Sequence, residues 1–300
     1  MKYKSDNLAI IIPSNNNLIN IRSCINSINN QTSKPGKVIV ITNQKFILKN
    51  TKSTFYTYIK IKNQVHQRTH GLKFLPKKIK LILQLDDKFI LDKRAIEHLI
   101  RNWNQSKKNV AGIGLLSNMN ELKRFYFWNL LTITDSSVPG KVLRSGFNTS
   151  FQSMNFSKQV DWLQGGLSSW RLEYIPFIFT RKFPNIKWSV CEDLIFSYYV
   201  KKKLNYDLRI SRNSRAYLAK KNINRFEKGY FYMGLEHARM LKVFVHLNKD
   251  NLSKILYYYS CLSSGFLGAF WFAVRFNKKS YYYLGRLRGI FSNIKDIKVL

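Results

Sequence analysis

Residues 78–100, KIKLILQLDDKFILDKRAIEHLI, contain a short apolar run that ends in two adjacent carboxylates, Asp86 and Asp87. A continuous apolar run of this length, bounded by charge, is typical of a strand that is covered on both faces. After the acids, Asp92 can cap a helix whose apolar residues recur at helical spacing. Strand, acidic loop and helix in this order predict a ligand site, because open α/β sheets bind ligands at the carboxyl ends of their strands.

Asp86 and Asp87 are candidate metal ligands. Two neighbouring carboxylates repel each other, and a divalent cation relieves that repulsion while it bridges them to a substrate diphosphate. The pair taken alone leaves a second interpretation open, a polar turn followed by a helix cap, because a two-residue motif is weakly specific.

The chain around this stretch alternates strand and helix. Strands are predicted at residues 8–12, 38–41, 54–62, 79–85 and 109–117, with a helix at residues 18–28 between the first two. A strand, helix and strand in succession form a parallel pair, so the pattern predicts a doubly wound α/β sheet with ligand loops along one edge. Further along, residues 124–134 and 160–166 are predicted as strands and residues 192–204 as a helix.

The composition favours anionic partners. Lys and Arg number 51 against 16 Asp and Glu, a formal net charge of +35, which suits nucleic acid, anionic lipid or phosphorylated substrates. A coding bias toward Lys, Asn and Ile is the alternative source of the excess. The 45% of hydrophobic residues argues against a disordered chain. Three cysteines without CxxC spacing indicate neither a disulfide framework nor a zinc site, which fits a reducing cytosol.

Residues 255–274, ILYYYSCLSSGFLGAFWFAV, carry no charge and are numerous enough to span a bilayer. Their serines, glycines and tyrosines suit an interface better than hydrocarbon. Residues 275–300 carry seven Lys or Arg against one Asp, and the positive-inside rule disfavours moving that flank across a membrane. The expectation is a helix that lies on the cytosolic leaflet with its basic tail on anionic lipid; a spanning helix and a buried helix are the alternatives.

Five stretches in fixed order resemble the inverting GT-A glycosyltransferases of family 2. They are residues 8–43, which begin LAIIIPSNNN, QRTHG at 67–71, LQLDDKFILDKRAI at 83–96, WLQGGLSSWR at 162–171 and WSVCEDLIFSYYV at 188–200. The resemblance covers about residues 8–212. It implies a GT-A-type doubly wound mixed sheet flanked by helices, with a nucleotide-sugar-binding half at residues 1–118 and an acceptor-binding half at 119–224. A helical, basic and aromatic extension that associates with the membrane follows at residues 225–300.

The resemblance also implies the roles of individual residues. Asp87 is expected to ligate Mg²⁺ or Mn²⁺, with Asp86 at the donor ribose or the metal shell. Asp193 is expected to be the general base, with Glu192 beside it contacting the acceptor. The remaining implied residues bind donor or acceptor: Pro13, Ser14, Asn16, Asn43 and Arg68 for the donor, and Gly165, Gly166 and Trp188 for the acceptor.

Three positions depart from the family pattern. Thr42 and Asn43 stand where relatives commonly carry acids that contact the nucleoside, and Lys88 stands where a third acid often follows the pair. These departures leave open a catalytically degenerate GT-A module that binds without catalysis. The charge also suggests a nucleic-acid-binding protein, but no recognised module is present and the basic residues are not concentrated in one element, so no nucleic-acid partner is expected.

The function that the sequence predicts is therefore that of a hexosyl-type glycosyltransferase that uses a nucleotide-sugar donor. The expected acceptor is a saccharide, lipid-linked by the character of the C-terminal extension, in surface polysaccharide biosynthesis. The expected location is cytoplasmic and peripheral, on an anionic surface at the inner face of the cell membrane.

Overall fold

A computed structural model describes the chain over residues 2–15, 17–45, 50–51, 53–60, 63–117, 127–151, 158–175, 190–219 and 229–293. The chain divides into two compact units, each assembled from three segments. The first unit comprises Met1–Leu122, Gln152–Arg181 and Phe196–Asn222, and the second comprises Lys123–Phe151, Lys182–Ile195 and Ile223–Leu300. The functional assignment of residues 1–118, 119–224 and 225–300 stays a prediction.

Over the residues that the structure describes, the first unit is built on one nine-stranded mixed sheet. Its strands are β1 (Leu8–Ser14), β2 (Lys37–Thr42), β3 (Thr54–Tyr58), β4 (Leu81–Leu85), β5 (Phe89–Leu91), β6 (Val110–Ser117), β7 (Gln159–Val160), β8 (Leu167–Arg171) and β9 (Asp207–Leu218). The order is β3-β2-β1-β4-β8-β6-β9-β5, with β7 paired to β9. Strands β1 to β4 are parallel, and β8 runs antiparallel to both β4 and β6.

Helices cover both faces of this sheet. They are α1 (Leu18–Asn29), α2 (Gln64–Leu72) and α3 (Ala95–Gln105). Successive strand residues point to opposite faces, so Leu8, Ile10 and Ile12 share one apolar core with α1 and α3. On the other face α2 approaches through Gly71, where a Cβ would lie 2.9 Å from Ile41 Cδ1. The predicted α/β fold, a doubly wound mixed sheet between helices with a helical C-terminal extension, is confirmed.

Local starts and ends differ from the sequence prediction in places. Asp92 does not cap α3, because Arg94 holds that position and the Asp92 carboxylate instead accepts a hydrogen bond from the Arg94 amide at 3.1 Å. Within residues 124–134, predicted as a strand, Phe127–Leu131 form helix α4. Residues 161–166, also predicted as a strand, are loop and turn between β7 and β8. Aromatic residues have high β propensity, but tertiary context overrides it here.

The second unit is mainly helical over its described residues, with turns and one β-bridge between Val142 and Asn148. Besides α4 it contains α6 (Tyr230–Leu247), α7 (Asn251–Val274) and α8 (Ser280–Ile290), while α5 (Glu192–Tyr198) begins in this unit and ends in the first. Glycines allow α6 and α8 to pack backbone against backbone. A Cβ at Gly234 would lie 1.8 Å from the Tyr282 carbonyl oxygen, and one at Gly285 would lie 1.9 Å from that of Phe231. No helix among the described residues combines the length and the apolar character that crossing a bilayer demands.

Candidate active site

The acidic pair lies at the edge of the sheet where the parallel strands end. Because β1, β2 and β4 are parallel, Ser14, Thr42 and Leu85 end at the same edge, and Asp86 and Asp87 follow directly. Each of the two aspartates is only 8% exposed. Antiparallel β8 starts at this edge as well. The sheet therefore gathers residues from four separate stretches of sequence around two partly buried carboxylates.

Asp86 lies between two cations. Arg68 Nη2 donates to Asp86 Oδ1 at 3.0 Å, and Lys88 Nζ lies 3.4 Å from Asp86 Oδ2. Burial by itself would raise the pKa of the Asp86 carboxyl, but the positive charges of Lys88 and Arg68 and their hydrogen bonds outweigh it, so this pKa lies below its usual value. Asp86 is thus held as a carboxylate.

Helix α2 delivers the arginine. Asn63 caps this helix by accepting a hydrogen bond from the Val65 amide at 2.9 Å, which satisfies a backbone donor of the first turn. One turn later, Gln67 Nε2 donates to the Ser14 carbonyl at 3.2 Å, and Arg68 beside it is 2% exposed. The Asn63 cap stabilises the start of α2, and the hydrogen bond from Gln67 holds α2 against the end of β1. In this position the Arg68 guanidinium contacts Asp86.

Asp87 has a different set of contacts. Its Oδ2 accepts a short hydrogen bond from the hydroxyl of Ser14, a neutral donor. Both acids also affect the buried Cys24 of α1. Burial is the largest cause that raises the pKa of its thiol, and the negative charges of Asp87 and Asp86 raise this pKa further. Asp86 is thus paired with Arg68 and Lys88, and Asp87 accepts a hydrogen bond from Ser14.

The glycine pair forms a tight turn directly against Asp86. Leu167 N donates to the Gln164 carbonyl at 3.1 Å across Gly165 and Gly166, and Asp86 N donates to the Gly166 carbonyl at 3.0 Å. A Cβ at Gly166 would lie 2.3 Å from Asp86 Cγ, so a side chain there would displace the carboxylate. Gly166 is therefore required by close approach to the acid. The prediction that Gly165 and Gly166 contact an acceptor stays untested.

Asn43 directly follows β2 at the same edge of the sheet. Its Oδ1 is buried and has no hydrogen-bond partner among the described residues, whereas the neighbouring Thr42 hydroxyl donates to the Gln44 carbonyl at 2.7 Å. Buried acceptors are normally satisfied, so this oxygen has unused capacity for a ligand donor. Pro13 precedes Ser14 within β1 and pairs with Ile41 of β2. Asn16, predicted to bind the donor, lies outside the described residues.

The acidic pair fits a metal site of a particular kind. Across the described ranges, no three His, Cys, Asp or Glu side chains are grouped so that they could hold an ion. Mg²⁺ typically takes one or two carboxylates and completes its shell with substrate phosphates and water. Asp86 and Asp87 together match the protein part of that donor set.

Glu192 and Asp193 open helix α5, and their surroundings belong to the second unit. Cys191 precedes them with φ of 60°, a left-handed conformation that directs the chain into the helix. Burial raises the pKa of the Cys191 thiol, and the charges of Asp193 and Glu192 raise it further. Asp193 Oδ1 accepts a hydrogen bond from the Leu194 amide at 2.9 Å. Trp188, predicted to contact the acceptor, falls outside the residues described.

Two contacts around the acidic pair are not predicted from the sequence. Gln67 adjoins Arg68 in the QRTHG stretch, but nothing in the sequence signals that its amide reaches back to the Ser14 carbonyl. The sequence marks Lys88 as a departure from the family pattern, and the structure pairs it with Asp86. The only sequence signal for this pair is the i, i+2 spacing of Asp86 and Lys88 in a loop. This spacing does not predict a contact, because the loop conformation decides whether the two charges lie close together.

Removal of the Arg68 charge is expected to destabilise the first unit in a pH-dependent way. In Arg68→Met the partly buried Asp86 loses one of its cations, which costs about 3 kcal/mol of unfolding free energy at neutral pH. Since the folded-state pKa of Asp86 is lowered, its contribution is present above about pH 4 and is lost as the pH falls through the folded-state value. The difference in unfolding free energy between the wild type and the variant should therefore become smaller below pH 4. Urea unfolding in the presence of EDTA measures this difference.

Arg101→Met is the matched control for this prediction. Arg101 Nη2 pairs with Glu97 Oε1 at 3.3 Å on the exposed face of α3, with 55% of the arginine side chain exposed. An exposed pair of this kind contributes little because water screens it. Arg68 does not stabilise the Asp86 carboxylate if Arg68→Met loses the same unfolding free energy at every pH. The same conclusion follows if this loss is no larger than the loss in Arg101→Met.

The chain is similar in fold to one solved glycosyltransferase. The mannosyltransferase PcManGT from Pyrobaculum calidifontis, in complex with GDP-Man and Mn²⁺, is similar with a TM-score of 0.55 at 10% sequence identity, covering 96% of this chain and 88% of that one. S. aureus TarS gives a TM-score of 0.47 at 13% identity, over 81% of this chain and 39% of that one. No family model and no curated protein matches the sequence.

Proposed function

We propose that the chain is an inverting glycosyltransferase of the family 2 type, which transfers a hexosyl group from a nucleotide-sugar donor. The observation that carries this proposal is the acidic pair at the carboxyl edge of the parallel strands, with Ser14 on Asp87 and both Arg68 and Lys88 on Asp86. The fold it shares with a mannosyltransferase solved with GDP-Man and Mn²⁺ supports the same function.

The donor end of the reaction is assigned to the first unit. Asp87, with Asp86 beside it, would hold Mg²⁺ or Mn²⁺, which when bound neutralises charge that grows on the departing diphosphate. Arg68 and Lys88 keep Asp86 ionised and bring two further positive charges to the same edge. Asn43 offers its unpaired buried oxygen to the nucleoside, and Pro13, Ser14 and Asn16 belong to the same donor loop.

The acceptor end is assigned to Asp193. Its carboxylate would accept the proton of the acceptor hydroxyl while the hydroxyl oxygen forms a bond to the anomeric carbon. The bond from that carbon to the diphosphate oxygen breaks on the opposite side, so the configuration inverts and the nucleoside diphosphate leaves. Glu192 would orient the acceptor, and Gly165, Gly166 and Trp188 would line its path.

The acceptor is proposed to be a lipid-linked saccharide used in surface polysaccharide biosynthesis, reached from the inner face of the cell membrane. Support for this part of the proposal comes from the C-terminal extension and the net charge of +35, which favour an anionic surface. Peripheral attachment would place a cytoplasmic enzyme beside an acceptor that cannot leave the bilayer.

A panel of nucleotide sugars tests the donor assignment directly. With Mn²⁺ present, the correct donor at about a hundred times its Kd should stabilise the fold by about 2.7 kcal/mol and raise the melting temperature by roughly 4 °C. The same donor should be slowly hydrolysed without any acceptor. EDTA should abolish both effects. No stabilisation by any nucleotide sugar, with or without Mn²⁺, would contradict the proposal.

A binding module without catalysis is the second candidate. The specific observation in its favour is that both oxygens of Asp86 are engaged by cations within the protein, through Arg68 and Lys88. Stabilisation by one nucleotide sugar together with no release of nucleoside diphosphate over many hours would favour this candidate over the enzyme.

A further inference from the structure

The last turns of α7 expose an unusually apolar surface. We define the apolar patch as Phe266, Phe270, Trp271 and Val274 of α7 together with Phe276, which lies two residues beyond the end of the helix. At 100° per residue, the four helical members fall within one arc on the surface of α7. Phe270 is 72% exposed and Phe276 is 98% exposed, and the other three are at least half exposed. Contiguous exposure of large apolar side chains on a folded protein marks an interaction surface.

The described contacts between α7 and the neighbouring helix α8 lie on another side of α7 from this patch. The opposite side of α7 lies against α8, where a Cβ at Gly265 would lie 2.5 Å from Leu287 and one at Gly268 would lie 2.3 Å from Tyr283. Tyr257 and Cys261 of α7 are fully buried, and the Tyr257 hydroxyl donates to the Ala238 carbonyl at 2.9 Å. The helix is therefore held by one face while the apolar patch stays on the other.

Helix α4 lies beside α7, in contact with it at Tyr259. The Tyr259 hydroxyl donates to the Leu131 carbonyl at 2.9 Å, which fixes α4 beside the exposed side of α7. Phe127 and Trp128 of α4 are 65% and 59% exposed. Large apolar side chains thus occur on two adjoining helices of one unit.

Cations lie directly beside the apolar patch. The Arg275 guanidinium stacks on the Trp271 ring with its carbon 3.8 Å from the ring centroid, and Lys279 Nζ lies 5.8 Å from the centroid of Phe272. Arg275, Lys278 and Lys279 are all exposed. Aromatic and aliphatic side chains next to Lys and Arg are the combination that inserts into a headgroup region and contacts lipid phosphates.

We propose that the apolar patch docks on an anionic lipid bilayer. Phe270, Trp271 and Phe276 enter the boundary between headgroups and acyl chains, and Arg275, Lys278 and Lys279 contact lipid phosphates. This inference deepens the proposed function, because it names the residues through which the enzyme reaches a lipid-linked acceptor. A second copy of the chain is a poorer occupant, since its own cationic residues would face these across the interface.

Co-sedimentation of the full chain with vesicles tests the docking. Vesicles of phosphatidylcholine with 30% phosphatidylglycerol should bind the wild type, and pure phosphatidylcholine should bind it at least tenfold more weakly. The triple variant Phe270→Ser, Trp271→Ser, Phe276→Ser should lose at least tenfold in affinity for the anionic vesicles. The triple variant Arg275→Gln, Lys278→Gln, Lys279→Gln should lose about a hundredfold, since each cation near the surface is worth about fivefold.

A charge-matched control separates docking by this surface from general attraction of a basic protein. Lys107→Gln, Lys108→Gln, Lys202→Gln removes three exposed charges from the first unit and should change vesicle affinity by less than threefold. An equal loss in this control and in the Arg275 variant would overturn the proposal, as would an apolar-patch variant that binds like the wild type. The proposal would also be overturned if sedimentation velocity shows a dimer of the wild type that the triple variant at Phe270, Trp271 and Phe276 abolishes, while this variant still binds vesicles like the wild type.

Donor hydrolysis in the absence of vesicles distinguishes the two proposals. Both triple variants should hydrolyse the donor at the wild-type rate, which also shows that they are folded. Loss of vesicle binding with intact hydrolysis supports docking, whereas vesicle binding by a chain that hydrolyses no donor supports docking and contradicts the proposed enzyme.

Discussion

Asp87→Asn is expected to abolish the Mn²⁺-dependent binding of the nucleotide-sugar donor. Asparagine keeps an oxygen that can accept the Ser14 hydrogen bond, so the loop should retain its conformation. The variant loses the negative charge that attracts the cation. A bound metal contributes several kcal/mol to a transition state, so transfer should fall on the order of 10³-fold. The measurement is donor-induced thermal stabilisation with and without Mn²⁺, followed by transfer kinetics.

Asp6→Asn provides the matched control for charge. Asp6 is an exposed aspartate of the same unit, and its replacement makes the same change in net charge. It should leave both donor binding and transfer unchanged. If Asp87→Asn still shows the full Mn²⁺-dependent stabilisation, Asp87 does not ligate the metal.

Asp193→Asn should have the opposite pattern, with donor binding intact and transfer lost. The amide cannot take up the proton of the acceptor hydroxyl, and loss of a general base typically costs 10²–10⁴-fold in rate. Donor-induced stabilisation should match that of the wild type, because the acidic pair is unchanged. The decisive measurement is kcat for transfer at saturating donor.

Glu192→Gln tests whether the effect belongs to Asp193 alone. The two acids are neighbours in the first turn of α5. Loss of a contact to the acceptor should raise the KM for the acceptor and leave most of kcat. If Asp193→Asn transfers at the full rate, Asp193 is not the general base. If only Glu192→Gln loses kcat, Glu192 is the general base instead.

The core of the sheet could be predicted from sequence because its strands are buried on both faces. Continuous apolar runs such as LAIII at residues 8–12 indicate such strands without knowledge of their neighbours. The start of α3 could not be predicted in the same way, because Asp92 suits both a cap and the turn that it forms. Phe127–Leu131 could not be predicted as a helix from aromatic composition, which favours strands.

In the candidate site, too, local sequence predicts the positions of residues but not their long-range contacts. Asp86 and Asp87 were predicted because they directly follow a recognisable strand, and local sequence signals that position. The contacts that distinguish the two acids join residues far apart in the chain, such as Ser14 with Asp87 and Arg68 with Asp86. Likewise, the sequence marks Gly166 as a turn residue, but only the antiparallel β8 brings it against Asp86.

The pairing of Asp86 with Arg68 and Lys88 also bears on the order in which ligands bind. These three side chains and Asp87 sum to a formal charge of zero, with two negative and two positive groups. A divalent cation alone, or a diphosphate alone, would leave two uncompensated charges at these side chains, whereas the charges of the two ligands together cancel. Metal and donor should accordingly bind with synergy, each increasing the affinity of the site for the other, and release of the diphosphate after transfer should release the metal with it.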